Sequence, residues 1–123
     1  MYKIDFNKPI HIHFMGIGGI SMSGLAEILH EEHFTVSGSD SKESDLTRHL
    51  EHMGIQVFYG QKPENITNGI DLVVYTAAIR EDNTEFIAAK EKGIPMLTRA
   101  ELLGQIMDNY QNSIAVAGTH GKT

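Results

Sequence analysis

Residues 10–21 read IHIHFMGIGGIS, and this stretch decides the fold. Its first part, Ile10–Met15, combines aromatic and β-branched residues, which predicts a short strand. A glycine cluster follows at once, and from Ile20 to about Glu32 apolar residues recur at helical spacing, at Leu25, Ile28 and Leu29. A strand, a tight glycine turn and a helix in this order indicate the first unit of an α/β fold.

The rest of the chain repeats this alternation of short strands and helices. Further strands are predicted at Phe34–Ser37, Ile55–Phe58, Leu72–Tyr75, Met96–Thr98 and Ile114–Ala117. Helices are predicted after the N-cap Ser44, over Thr84–Lys92, and after a capping box of Thr98 and Glu101. Short connections between these elements predict a Rossmann-like α/β fold, an open and mostly parallel sheet with helices on both faces.

The composition excludes several classes of protein. A chain of 123 residues with 41% hydrophobic and 21% charged residues is typical of an ordered globular domain. Its net charge of −6 does not favour nucleic-acid binding, and the absence of Cys excludes disulfide scaffolds, cysteine zinc sites and thiol catalysis. No apolar run approaches the ~20 residues that span a bilayer, and residues 1–9 lack the apolar core of a signal peptide. We therefore expect a cytoplasmic domain that binds neither nucleic acid nor membrane.

The first glycine turn, Gly16–Ser21, has the context of a phosphate-binding turn because it joins a strand to a helix. Glycine allows a positive φ and a close approach of the backbone to an oxyanion, and the helix N-terminus presents free N–H groups. Asp40 lies 22 residues beyond Gly18, near the ~20 expected for an acid that binds a ribose. These features indicate a ligand with a pyrophosphate and a ribose. A nicotinamide-binding oxidoreductase, a redox-sensing module and an empty turn all stay open at this point.

The second glycine turn, Gly118-Thr119-His120-Gly121-Lys122-Thr123, follows the last predicted strand and resembles a shortened P-loop. In such a loop Lys122 would reach the β/γ-phosphates of ATP, and the Thr123 hydroxyl would ligate Mg²⁺. Two phosphate turns in one chain suit a protein in which one domain holds a nucleotide-linked substrate and the next holds ATP. The chain is therefore expected to be the N-terminal part of a longer enzyme.

The histidines invite a metal site. His30 and His33, and likewise His49 and His52, have i, i+3 spacing on charged helices, where solvated faces are the simpler interpretation. His11 and His13 alternate in the first strand and share one face, so we interpret them as hydrogen-bonded sheet residues rather than ligands. The sequence therefore predicts no histidine metal centre.

Five ordered motifs together carry a resemblance. They are Gly16-Ile17-Gly18-Gly19, Met22-Ser23-Gly24, Ser37-Gly38-Ser39-Asp40, Arg99-Ala100-Glu101 and Ala117–Thr123. In this order and rough spacing they resemble the peptidoglycan Mur ligases, most closely the members that add L-alanine to UDP-N-acetylmuramate. A member that adds a whole tripeptide in murein recycling is the alternative within the family.

The resemblance implies an ADP-forming ligase with ATP and Mg²⁺, in which ATP phosphorylates the lactyl carboxylate and the amine of L-alanine attacks the acyl phosphate. It implies a Rossmann-like domain for the UDP-sugar at residues 1–112, and at residues 113–123 the first strand and truncated P-loop of an ATPase domain. Central and C-terminal domains would complete the enzyme. By itself this chain is expected to be inactive and to hold no cofactor.

The resemblance also implies roles for individual residues. The diphosphate would be received by the backbone N–H groups of Gly16, Ile17, Gly18, Gly19, Ile20 and Ser21. Ser39 and Asp40 would lie near the uridine ribose or base, and Thr76, Ala77 and Ala78 would border the diphosphate-sugar channel. ATP would be bound by Gly118, Thr119, His120, Gly121, Lys122 and Thr123, with Lys122 and Thr123 as the catalytic pair and Thr123 on Mg²⁺. Gln61 stands where many relatives carry a His that contacts uracil.

Overall fold

A computed structural model describes the backbone of residues 1–117 and the side chains of residues 1–111. Its five strands are β1 (His11–Met15), β2 (Thr35–Asp40), β3 (Gln56–Tyr59), β4 (Leu72–Tyr75) and β5 (Met96–Thr98). Its helices are α1 (Ile20–Glu31), α2 (Asp45–His52), α3 (Thr84–Glu91) and α4 (Arg99–Ala117), with a 3₁₀ turn at Pro63–Asn65. None of the helices in this described part is long and apolar enough to cross a membrane.

The five strands form one parallel sheet in the order β3-β2-β1-β4-β5. The chain builds outward from β1 in one direction through β2 and β3, and then returns to the other side of β1 with β4. Ligands of open α/β sheets bind beyond the carboxyl ends of the strands at such a reversal. The predicted Rossmann-like fold is confirmed.

Both faces of the sheet are covered by helices, as the alternation of β1 shows. Ile12 and Phe14 are fully buried in a core that includes apolar side chains of α1, α2 and α4. Met15 is buried in a second core, which includes Phe86, Ala88 and Ala89 of α3. His13 lies on the same face of β1 as Met15, because side chains alternate along a strand. It is also 0% exposed, so the second face has a polar residue at its centre.

Side chains cap the starts of α2, α3 and α4, and the sequence predicts the caps of α2 and α4. The side chain of Ser44 accepts a hydrogen bond from the Thr47 N–H at the start of α2, and the Ser44 N–H donates to Thr47 Oγ1, which completes a capping box. At the start of α4 the Glu101 N–H donates to Thr98 Oγ1 at 3.1 Å and the Thr98 N–H donates to Glu101 Oε1 at 2.9 Å. Such caps satisfy N–H groups that have no partner within the helix.

Two predicted strands differ from the structure by more than a single residue at an end. β2 continues beyond Ser37 to Asp40 because Gly38 still pairs with Phe14 of β1 and Val57 of β3. The strand predicted at Ile114–Ala117 is wrong for the described backbone, where these residues continue α4. A strand needs a neighbouring strand for its hydrogen bonds, whereas a helix satisfies its own backbone locally. The predicted domain boundary between residues 112 and 113 stays a prediction.

Candidate functional site

The glycine turn between β1 and α1 is bound to the end of β2. Gly16 has a φ of +81°, a backbone conformation that glycine adopts readily. The N–H groups of Gly16 and Ile17 both donate to the Ser39 carbonyl, at 2.8 and 2.9 Å, and the Gly19 N–H donates to the Gly16 carbonyl at 3.2 Å. Three of the six predicted diphosphate donors are therefore already used within the protein.

Asp40 accepts a hydrogen bond from a fourth of these predicted donors. Its Oδ2 accepts the Gly18 N–H at 2.9 Å, and its Oδ1 accepts the Lys42 N–H at 3.3 Å. Asp40, the residue predicted to bind a ribose, thus joins the glycine turn to the end of β2 in this structure. Each carboxylate oxygen has a further lone pair, so the half-buried Asp40 keeps acceptor capacity for a ligand hydroxyl.

The remaining donors lie in the first turn of α1. Among the described residues the N–H groups of Ile20, Ser21 and Met22 form no hydrogen bond to a protein acceptor. The N-cap Gly19 offers no side-chain acceptor, and this first turn contains no acidic residue. Free N–H groups and the positive end of the helix dipole together favour an anion here. Four of the six predicted donors thus have protein acceptors in this structure, and the roles predicted for all six in binding a diphosphate stay a prediction. The N–H group of Met22 was not among the predicted donors.

Arg99 adds a cation to the same place. It is the first residue of α4, directly after β5, and its Nη1 donates to the Ser21 hydroxyl at 3.1 Å across 78 residues of chain. The guanidinium group has donors in a fork that suits phosphate oxygens. The sequence motif that contains Arg99 contributed to the resemblance, but the sequence did not predict that this side chain reaches the glycine turn.

Thr76, Ala77 and Ala78 follow β4 at the same edge of the sheet. Because Phe14 pairs with Val74, Thr76 comes after β4 at the level at which Gly16 comes after β1. Thr76 is half-buried, while Ala77 and Ala78 are exposed. The structure therefore places the predicted channel residues beside the glycine turn, at the reversal of strand order.

Ser39 is in place but does not face outward. Its side chain is 0% exposed, and its hydroxyl donates to Glu85 Oε1 at 2.8 Å. The hydroxyl is already bonded inside the protein, and the prediction that Ser39 lies near the uridine ribose or base stays a prediction. Ser39 instead holds the glycine turn through its carbonyl oxygen.

Gln61 lies in the connection that follows β3. Its side-chain oxygen accepts a hydrogen bond from the Asn83 amide, and its carbonyl accepts one from Thr84 Oγ1 at 2.9 Å. The preceding residue, Gly60, donates its N–H to the Asp40 carbonyl at 2.8 Å. The connection therefore lies next to Asp40 and is held by the start of α3.

Beneath the site lies a buried carboxylate that the sequence did not predict. Glu85 is 0% exposed and accepts a hydrogen bond from His13 Nε2 at 3.0 Å. His13 Nδ1 lies 3.0 Å from Ser37 Oγ, which also lies 2.8 Å from His11 Nε2. The interpretation of His11 and His13 as hydrogen-bonded sheet residues is confirmed. A buried histidine in a central strand requires a polar partner, and that requirement predicts a partner for His13 without identifying Glu85.

The described residues show no metal site, and the predicted P-loop lies outside them. In residues 1–111 no group of three His, Asp or Glu side chains is placed to hold a metal ion. The predicted ATP-binding residues Gly118–Thr123, including Lys122 and the Mg²⁺ ligand Thr123, lie outside the described residues.

Comparison with known proteins then fixes the family. The model of the Mur ligase family, catalytic domain, matches residues 11–111, which is most of the chain. The chain belongs to the Mur ligase family. The resemblance that the five motifs carry is confirmed.

Individual Mur ligases are similar over the whole of this chain. It is 81% identical over 123 residues to a UDP-N-acetylmuramate–L-alanine ligase of Agathobacter rectalis, covering 100% of this chain and 27% of that protein. A ligase of the same name from Lachnoclostridium phytofermentans is 64% identical, again over 100% of this chain and 26% of the relative. The chain thus spans about a quarter of the length of these relatives.

A solved structure shares the fold. The UDP-N-acetylmuramate-alanine ligase MurC of Thermotoga maritima superposes with a TM-score of 0.74 at 34% identity, covering 84% of this chain and 23% of that chain. These relatives do not favour the oxidoreductase alternative, because the similar proteins named here are ligases.

Proposed function

We propose that this chain is the UDP-N-acetylmuramate-binding part of an ADP-forming ligase that adds L-alanine to that substrate in peptidoglycan synthesis. The observation that carries the proposal is the start of α1, where three N–H groups without protein acceptors lie at the reversal of strand order. Sequence identity of 81% to a ligase named for this substrate supports it. The same relatives favour L-alanine over a tripeptide as the second substrate.

The diphosphate is assigned to the first turn of α1. The N–H groups of Ile20 and Ser21, with that of Met22, would donate to its oxygens, and Arg99 would add a charged donor from the neighbouring helix. The side chain of Ile20 is 85% exposed and leaves the backbone approachable. Gly16 and Gly18 contribute the shape of the turn rather than donors.

The uridine is assigned to the side of β2. Asp40 would accept a ribose hydroxyl with the lone pairs that its two backbone contacts leave free. The amide nitrogen of Gln61 has donor capacity for a base carbonyl, because its oxygen is taken up by Asn83. The sugar end would then extend past Thr76, Ala77 and Ala78, whose small side chains leave room at the end of β4.

The chemistry would take place beyond this chain's described part. ATP would phosphorylate the lactyl carboxylate of the bound substrate, and the amine of L-alanine would displace phosphate from the acyl phosphate. Lys122 would stabilise the charge on the transferring phosphoryl group, with Mg²⁺ held by Thr123 supplying electrostatic stabilisation when bound. Residues 1–111 contribute binding and orientation of the UDP-sugar, which is a cytoplasmic step in this proposal.

A titration followed by NMR tests the proposal. The ¹⁵N-labelled chain is titrated with UDP-N-acetylmuramate and, separately, with NAD as the matched control. We expect the amide signals of Ile20, Ser21 and Asp40 to shift with the UDP-sugar and not with NAD. Shifts with NAD alone would restore the oxidoreductase alternative, and no shifts with either compound would contradict binding by this chain.

A further inference from the structure

Glu85 is a buried carboxylate to which the proposed function assigns no role. Its Oε1 accepts hydrogen bonds from His13 Nε2 at 3.0 Å and Ser39 Oγ at 2.8 Å. Its Oε2 accepts them from Asn65 Nδ2 at 2.8 Å and the Lys62 N–H at 3.3 Å. Each oxygen thus has two donors, which is an unusually complete set for a side chain without solvent contact.

The donors keep this carboxylate charged. Burial raises the pKa of Glu85, but hydrogen bonds from His13, Asn65 and Ser39 outweigh burial, so that its pKa lies below the ordinary value. An ionised carboxylate only accepts hydrogen bonds. Glu85 therefore attracts all four donors at once.

The four donors belong to three separate parts of the chain. His13 lies in β1, Ser39 at the end of β2, and Lys62 and Asn65 in the connection after β3. The Ser39 carbonyl receives two N–H groups of the glycine turn. Asn65 uses its amide group a second time, donating to the Gly60 carbonyl at 2.9 Å. Glu85 thus reaches the glycine turn through one residue, Ser39, and bonds the loop after β3 directly.

We propose that Glu85 is a positioning residue of the nucleotide site, and that its carboxylate holds the glycine turn and the loop 60–65 at a fixed separation. This inference rests on the proposed function, in which these two segments bind opposite ends of the UDP group. Without the carboxylate, the donors of the loop and the hydroxyl of Ser39, whose carbonyl holds the glycine turn, would lose their common acceptor. Each would have to move to find another acceptor.

A glutamine at this position makes a specific prediction for His13. Its amide has one acceptor oxygen. The Lys62 N–H can only donate, and Asn65 keeps its amide nitrogen on this side to donate to the Gly60 carbonyl, so the oxygen faces these two donors. The amide nitrogen of Glu85→Gln then faces His13 and Ser39, which must accept instead of donate. His13 Nε2 therefore loses its proton in the variant.

The experiment uses the ¹⁵N-labelled 123-residue chain as wild type, as Glu85→Gln and as Glu91→Gln. Glu91 is an exposed residue at the other end of α3 and gives a matched control. Imidazole ¹⁵N signals report the protonation of His13 Nε2, and amide shifts during titration with UDP give its affinity. We expect Glu85→Gln to deprotonate His13 Nε2 and to weaken UDP binding about tenfold, as the loss of one hydrogen bond to a charged group would. Glu91→Gln should change neither quantity.

The outcomes separate this inference from the proposed function. Equal UDP affinity for wild type and Glu85→Gln would overturn the positioning role, and so would an unchanged His13 signal. No response of the wild type to UDP would instead refute the proposed function itself. If Glu85→Gln does not fold, Asn65→Ala removes the side-chain donor of the loop and leaves the Lys62 N–H in place. This variant should weaken UDP binding while His13 Nε2 keeps its proton. Unchanged affinity in Asn65→Ala would also overturn the inference.

Discussion

Replacing Gly38 with alanine should destabilise the chain more than its small size suggests. A Cβ at Gly38 would lie 2.5 Å from Ile17 Cδ1, 2.6 Å from Ile17 Cβ and 2.8 Å from the Phe14 carbonyl oxygen. Two of these three atoms cannot rotate away, because one is backbone of the central strand and the other is fixed to the glycine turn. The variant must therefore displace Ile17 or separate β1 from β2.

The magnitude follows from what is displaced. Overpacking a core costs about 1–3 kcal/mol. Partial exposure of Ile17, which is 0% exposed in the wild type, costs up to about 2 kcal/mol more, since full exposure of such a side chain costs about 1.5–3 kcal/mol. We expect Gly38→Ala to lower the free energy of unfolding by about 3 kcal/mol. With a urea dependence of about 2 kcal/mol/M for a small protein, the midpoint of unfolding falls by about 1.5 M.

Urea unfolding followed by far-UV circular dichroism measures this change, and Gly24→Ala is the matched control. Gly24 lies inside α1, is exposed, and a Cβ there would meet nothing within 4 Å. Gly24→Ala should therefore raise the free energy of unfolding of the protein by up to about 1 kcal/mol, the difference in helix propensity between glycine and alanine. A midpoint for Gly38→Ala at or above that of the wild type would refute the close packing of Ile17 on β2.

Three further changes test a cap, the buried carboxylate and the anion site. Ser44→Ala removes the side-chain cap of α2 and should lower the free energy of unfolding by about 1 kcal/mol in the same urea experiment; an unchanged midpoint would contradict the cap. Because the folded pKa of Glu85 lies below its ordinary value of 4.5, its contribution to stability is complete above that pH and is lost as the pH falls through the folded pKa. Urea midpoints of the wild type should therefore fall more steeply below about pH 4.5 than those of Glu85→Gln. Parallel plots of midpoint against pH for the two proteins would contradict this contribution of Glu85. Arg99→Ala should weaken UDP binding about tenfold by the loss of one charged hydrogen bond, whereas Arg80→Ala, at an exposed residue after β4, should not; equal losses in NMR titrations of both would point to a general effect of charge.

The elements of this fold were predictable because their signals are local. The glycine turn, the apolar run of β4 and the caps at Ser44 and Thr98 depend on residues close together in sequence. The end of β2 was not predictable in this way, since Gly38 and its neighbours resemble a turn. Its extension depends on Ile17, which closes over the glycine from another part of the chain.

The candidate site was predictable in place but not in detail. The free N–H groups at Ile20 and Ser21 follow from the helix start. The N–H groups of Gly16 and Ile17 instead form hydrogen bonds to the Ser39 carbonyl of a neighbouring strand, which no local pattern predicts. Glu85 resembles an ordinary acidic residue in the first turn of a helix. Its role arises from His13, 72 residues away in sequence, and no local pattern contains that information.

The position of β1 at the centre of the sheet has a consequence for synthesis of the chain. β1 gains β2 as a neighbour early, but its other partner pairs Ile12 with Leu72, 60 residues later. At about 5–20 residues per second, a ribosome needs about 3–12 s to make that segment. For this interval the hydrogen-bonding edge of the most buried strand stays open to other nascent chains. A chaperone that covers residues 10–15 during those seconds would protect an edge that β4 conceals in the finished domain.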